Sequence, residues 1–235
     1  MLKKFLISPP FGNYLQTSWA TSVQGTFTLE KRPGLAKQVL KTVRPVKGGW
    51  RNQIGFRNKG IKNVTFKPNT LISVAGLTGD DDWLEILDTL PENCMVELND
   101  GCPNVDAYNI NFDIIRAYVA KFSLVVLKMK PDQFSPMRGT NIHKDTGLNY
   151  IHLSNTLPTE KGGISGKQLK EVNLSLVREL RDRTDEKLKI IAGGGIYSEK
   201  DLIDYREAGA DHFSLSTVWL TPWKIPKIVR TVKKG

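Results

Sequence analysis

The sequence is poor in the residues that staple or metallate small proteins. Only two cysteines, Cys94 and Cys102, and three histidines, His143, His152 and His212, occur in 235 residues. Neither a C-x-x-C pair nor an H-E-x-x-H spacing is present, so a disulfide framework and a metal site are not expected, and both thiols are read as reduced. Long apolar runs are missing too. Stretches such as Leu71–Leu77 and Ser123–Leu127 fall far below the ~18 residues of a membrane span, and Met1–Phe5 opens no secretory apolar region. No transmembrane segment is therefore expected, and the expected location is cytoplasmic. Acidic residues are nearly absent from positions 1–67, where 13 Lys and Arg face Glu30 alone, whereas the remaining positions balance. The whole net charge of +10 thus sits at the N-terminal end. Such a stretch suits nucleic acid, an acidic membrane surface, a phosphorylated ligand, an acidic partner, or a merely solvated face.

What is present is an alternation. Short β-branched apolar runs at Phe5–Ser8, Thr21–Phe27, Leu71–Leu77, Met95–Asn99, Leu124–Met129, Tyr150–Asn155, Lys189–Gly193 and His212–Thr217 read as buried strands. Between the later ones, Asp80–Leu90, Asn111–Phe122, Lys167–Thr184 and Ser198–Ala208 carry the i, i+3, i+4 apolar spacing of amphipathic helices. Ser198 and Asp80 are the expected N-caps, and Gln133–Leu148 gives at best one short helix. Eight strands separated by helices imply a parallel sheet closed into a (β/α)8 TIM barrel, whose usual length is about 250 residues. With no linker or repeat, residues 1–235 read as one domain.

In such a barrel the chemistry lies at the C-terminal ends of the strands, with phosphate often held after strands 7 and 8. Gly193–Gly195 follow the seventh strand and precede a capped helix; Ser216 and Thr217 follow the eighth. Glycines allow phosphate to approach backbone N–H groups, and hydroxyls complete the shell. A tight strand-to-helix turn would also need glycine. After the fourth strand, Val96-Glu97-Leu98-Asn99-Asp100-Gly101-Cys102-Pro103-Asn104-Val105 offers a thiol suited to general-base work and two carboxamides suited to a planar, imide-like ligand. A buried structural cysteine followed by a Pro-Asn turn is the alternative.

This string resembles the E-L-N-x-S-C-P-N-V signature of dihydroorotate dehydrogenases. Further segments resemble the same family in the same order: Gly25–Gly34, Asn52–Gly60, Ser154-Asn155-Thr156, Gly162–Gly166, Ile190–Ile196, Ala208–Asp211 and Ser216-Thr217. The resemblance implies FMN lying across the barrel top, its phosphate on Gly166, Gly194 and Gly195 and near Ser216 and Thr217. It implies Lys128 beside the ring, with Asn99 also touching it; Lys128 would otherwise be a costly buried charge without a partner. It implies Asn52, Asn99, Asn104, Asn155 and Thr156 around dihydroorotate or orotate, and Cys102 as the base that removes the C5 proton while hydride leaves C6 for the flavin. The implied role is oxidation of dihydroorotate in pyrimidine biosynthesis, with an unidentified electron acceptor, a soluble one by default. A homodimer is one expected arrangement, and nucleic acid is not an expected partner.

Some positions depart from the family pattern. Gly25 stands where members with a cysteine base carry a lysine, Gly101 replaces a serine, and Ser216 replaces a glycine. The chain is shorter than usual members, and the loop Val105–Asn109 looks like a trimmed lid. Asn99-x-Gly101-Cys102-Pro103 also resembles the N-x-G-C-P of tRNA-dihydrouridine synthases, flavin barrels that need a basic surface for RNA. That reading, and a flavin-binding barrel with another substrate or no turnover, are the alternatives.

Overall fold

The structure is a computed structural model that describes residues 1–102, 104–105, 109–132, 134–153 and 156–233. The chain opens with β1 (Phe5–Ile7) and β2 (Ala20–Phe27), then α1 (Leu35–Thr42), β3 (Arg44–Val46) and β4 (Gly49–Asn52). The β/α alternation follows: β5 (Leu71–Val74), α2 (Asp80–Thr89), β6 (Met95–Asp100), α3 (Phe112–Lys121), β7 (Val125–Met129), α4 (Pro136–Thr146) and β8 (Tyr150–Leu153). The last elements are β9 (Gly163–Gly166), α5 (Gln168–Arg183), β10 (Lys189–Gly193), α6 (Glu199–Glu207), β11 (His212–Leu215) and α7 (Ile225–Lys233).

Eight of these strands close into a parallel barrel in the order β1-β11-β10-β8-β7-β6-β5-β2, as the sequence pattern predicts. The strands are those expected, ending somewhat earlier at Ile7, Val74, Leu153 and Leu215. Their outward faces pack on the helices through one large core that includes Trp83, Tyr118, Leu180 and Tyr205. Inside the barrel, Leu6, Val23, Leu71, Val126 and Ile191 form a separate apolar layer.

Two local expectations change. Asp80 is not the cap of α2: Gly79 occupies that position, and the Asp82 carboxylate instead folds back to accept the Leu77 and Thr78 N–H groups at 2.8 and 3.0 Å. Any of three successive aspartates can serve a helix start electrostatically, and the one a turn inside reaches back to N–H groups of the chain just before the helix. The weak 133–148 segment forms the full helix α4 because it is capped at both ends, by the Ser135 hydroxyl on Arg138 N–H and by left-handed Gly147. Ser198 does cap α6, accepting from Asp201 N–H while its hydroxyl donates to Asp201 at 2.7 Å. Ser198→Ala is expected to cost about 1 kcal/mol, the usual value of an N-cap, read as a lower urea midpoint.

Outside the barrel lies an antiparallel sheet, β3-β4-β9, that the apolar pattern does not announce. Its central strand runs Gly49↔Gly166 to Asn52↔Gly163, laying the 49–52 segment over the mouth beside β9. The basic residues Lys37 and Lys41 on α1, Arg44 on β3 and Lys47 after it are all exposed, and α1 buries no side chain.

Candidate active site

Four neighbouring barrel strands, β5 to β8, carry further inward residues above the apolar layer, because residues two apart share a face. Leu71 is followed by Ser73, Val126 by Lys128 and Tyr150 by His152, while Glu97 stands two residues before Asn99. This upper layer is polar and buried: Ser73, Glu97, Asn99, Lys128 and His152 are each at most 8% exposed. Its members are linked. Asn99 Nδ2 donates to Thr26 Oγ1 at 2.8 Å, Thr26 and Ser73 share a hydroxyl bond at 3.0 Å, and Ser73 Oγ donates to Glu97 Oε1 at 2.8 Å. Glu97 Oε2 meets His152 Nδ1 at 2.7 Å. In register, Lys128 lies between Asn99 on one side and His152 on the other.

Burial alone would push the Glu97 carboxyl up, but the Lys128 ammonium, the His152 ring and the Ser73 hydroxyl outweigh it and hold it at about 2. Glu97 is therefore an anion. Burial, reinforced by Lys128, pushes His152 down despite Glu97, so the imidazole is neutral and donates Nδ1–H to the carboxylate. Its Nε2 is buried with no hydrogen-bond partner among the described residues, an arrangement that costs about 1–3 kcal/mol. Lys128 is thus not a buried charge without a partner, as the strand pattern suggests; Glu97 balances it.

Lys128 opens upward into a cleft at the mouth of the barrel. Thr156, Gly166, Gly194, Gly195, Ser216 and Thr217 line the same cleft, together with Ser8, Ser165 and Ser214, which no sequence motif marks. Gly194 and Gly195 have φ of +85° and +77°, and a Cβ on either would sit 2.8–2.9 Å from α5 side chains. Glycine is required there, and it leaves the backbone bare to the cleft. Thr217 Oγ1 accepts from the Tyr197 hydroxyl at 2.6 Å, which leaves its own proton to donate, whereas Ser216 Oγ donates to Pro9 O at 3.3 Å. One end of the cleft therefore offers hydroxyls and bare backbone, and Lys128 offers a cation. A phosphorylated cofactor with an electron-rich ring fits this donor set.

The other expected residues gather beside this cleft. Asn104 Oδ1 accepts Gly163 N–H at 2.9 Å and its Nδ2 donates to Asn52 Oδ1 at 3.4 Å, so β4, β9 and the loop after β6 are clasped together. Asn104 faces a second, polar cleft with Arg32, Gln53, Gly55 and Arg57. Cys102 is buried in the tight turn to Val105. Burial pushes its thiol up, while Asn104, Lys128 and Lys130 pull against that rise. Asp100 brackets this loop, accepting Ile110 N–H at 3.0 Å and pairing with Arg138 at 3.1 Å. Asn155 and residues 106–108 of the trimmed loop lie outside the described residues. At Gly25, φ is +126° and a Cβ would stand 2.3 Å from Ser73 O, so the backbone itself excludes a side chain at the position where cysteine-base members of the resembling family carry lysine.

The sequence pattern alone gives no role to Glu97, His152, Ser73 and Thr26. The available signal was the period-2 step from Asn99 back to Glu97; nothing in the sequence pairs it with His152.

The sequence matches the family model described as dihydroorotate dehydrogenase over residues 11–235. Among curated relatives, it is 26% identical to "Dihydroorotate dehydrogenase B (NAD(+)), catalytic subunit" of Shouchella clausii, covering 80% of this chain and 73% of that one. It is 28% identical to the protein of the same name from Cutibacterium acnes, covering 86% and 76%. It is also 27% identical to a "Putative dihydroorotate dehydrogenase A (fumarate)" of Pediococcus pentosaceus, covering 78% and 71%. Among solved structures, DHODH from Eimeria tenella in complex with ferulenol superposes with a TM-score of 0.73 at 16% identity, over 97% of this chain and 80% of that one. That last likeness concerns the fold. Among the described residues, no helix is long and apolar enough to cross a membrane.

Proposed function

The chain belongs to the dihydroorotate dehydrogenase family, FMN-dependent oxidoreductases of pyrimidine biosynthesis, and from that premise we propose how its own residues carry the oxidation of dihydroorotate to orotate. The observation that supports the reading most is the single cleft that joins Lys128 to a glycine-and-hydroxyl end. In this reading Gly166, Gly194, Gly195 and Thr217 hold the FMN phosphate, Ser216 shapes the turn beside them, and Lys128 with Asn99 meets the ring. When bound, FMN supplies the acceptor for the hydride leaving C6 of the substrate.

The remaining work falls to side chains. Asn52, Asn99, Asn104, Asn155 and Thr156 orient the substrate ring and carboxylate. Cys102 removes the C5 proton from the face away from the cofactor. Asp100, tied to Ile110 and Arg138, holds the ends of the loop that carries Cys102. The clasp of Asn104 on Gly163 and Asn52 keeps β4 and β9 over the site and limits water entry. A soluble acceptor in the cytoplasm completes the reading, supported by relatives named for NAD and for fumarate. The family match favours this substrate over uridine in RNA.

The test is direct. Purified protein should be yellow and should bleach anaerobically on addition of dihydroorotate; flavin that responds to dithionite but not to dihydroorotate would overturn the substrate assignment. Gly195→Ala, which forces a side chain onto left-handed backbone against Lys170, is expected to weaken FMN binding about tenfold, roughly 1.4 kcal/mol. Fluorescence titration of the apoprotein reads that change.

A further inference from the structure

We propose that His152, held by Glu97 in the upper layer of the barrel interior, takes up a proton when the bound flavin is reduced and releases it on reoxidation. The inference rests on the flavin reading above and concerns how this chain balances the charge beneath it.

Lys128 contributes one positive charge and Glu97 one negative charge, so the layer is neutral while His152 is neutral. Hydride transfer adds a negative charge to the ring beside Lys128, whose own charge Glu97 already offsets. A second cation is not available at the strand-2 position, because Gly25 leaves no room for a side chain against Ser73 O. The interior sum therefore moves from zero to minus one, and a low-dielectric interior answers such a change by protonation.

Among the described residues, one base in the layer is placed to receive that proton. Glu97 is held as an anion by Ser73 Oγ at 2.8 Å, by the His152 ring at 2.7 Å and by Lys128. His152 Nδ1 is spent on Glu97, whereas Nε2 is buried and unpartnered among the described residues, with the side chain 1% exposed. Charged groups reach the imidazole from two strands, Glu97 on β6 and Lys128 on β7. From β5 the neutral Ser73 touches Glu97, and on β10 the register neighbour of His152 is Ile191. Once protonated, His152 would donate from both nitrogens and pair ionically with Glu97, freeing the charge of Lys128 for the reduced ring.

The step balances. Dihydroorotate gives up a hydride from C6 and a proton from C5, the latter to Cys102. A separate proton from solvent forms the Nε2–H bond, and it returns to solvent when the electron acceptor reoxidises the flavin.

The chain has only three histidines, His143, His152 and His212, which makes the wild-type holoprotein its own probe. With 15N-labelled imidazoles, spectra are recorded near neutral pH before and after anaerobic reduction by dithionite, with His143→Gln and His212→Gln assigning the signals. The expected result is conversion of His152 alone from one bare and one protonated nitrogen to two protonated nitrogens. The flavin midpoint potential of the wild type should then fall more steeply with pH than that of His152→Gln, by a further tenfold in the equilibrium per pH unit, about 30 mV for two electrons. Reduced flavin over a His152 whose Nε2 stays bare would overturn the proposal, as would protonation of Glu97 in its place or equal slopes in the two proteins. A wild-type protein that retains no flavin would overturn the flavin reading and this inference together.

Discussion

Replacement of Cys102 by alanine is expected to slow reduction of bound flavin by dihydroorotate about 10²–10⁴-fold, the contribution of a positioned general base, while flavin binding stays intact. The separation follows from geometry: Cys102 sits in its own buried turn, and Gly166, Gly194, Gly195 and Thr217 line the cleft assigned to the cofactor. Single-turnover absorbance decay measures the rate. Unchanged decay in the variant would remove Cys102 from the mechanism. The pH profile carries a second check. Because burial pushes the thiol above its ordinary position, the base form is a minority at neutral pH. The wild-type rate should rise about tenfold per pH unit and not level off below the usual thiol range near 8.5. A plateau on the acid side of that range would contradict the environment described for Cys102.

The second large effect is expected at Glu97. Glu97→Ala removes the counter-charge of Lys128 and the acceptor of His152 in a buried layer, and breaking a buried pair in this way typically costs about 3–5 kcal/mol. A strongly lowered urea midpoint is the expected readout. Glu97→Gln, which keeps a polar side chain for Ser73 and His152 but loses the charge, should fall between alanine and wild type. The sign of the pH dependence also follows. Glu97 is held below its ordinary value of 4.5, at about 2, so its contribution is present above the ordinary range and lost as pH falls toward 2. Acid unfolding should therefore be less steep in Glu97→Gln than in the wild type. Equal acid transitions would show that the carboxylate does not carry this stability.

The barrel itself is legible in the sequence because most of its strands are short buried runs rich in Val, Ile and Leu, as at Leu71–Val74 and Val125–Met129. The β3-β4-β9 sheet is not, and the reason is physical. Its strands contain Arg44, Pro45, Arg51 and three glycines, with no apolar alternation to betray them. They pair through backbone contact so close that a Cβ at Gly49 would lie 1.9 Å from Ser165 O. Local sequence records such a contact only as glycine. The candidate site divides in the same way. Asn99, Lys128 and the Gly194-Gly195 pair stand at strand ends and can be found by counting strands. The Ser73–Glu97–His152 chain draws one residue from each of β5, β6 and β8, and the lateral register that joins them is a property of the closed barrel.

That closure has a consequence for synthesis on the ribosome. β1 pairs with β2 on one side and with β11 on the other, through Ile7↔Ser22 and Ile7↔Leu215. At roughly 5–20 residues per second, the first strand waits on the order of 10–40 s for its second partner to be translated. Throughout that interval both flanks of the growing sheet are open edges, the kind of surface that recruits foreign strands. The nascent chain is thus most exposed to aggregation just before its last strand emerges, and chaperone dependence should concentrate there.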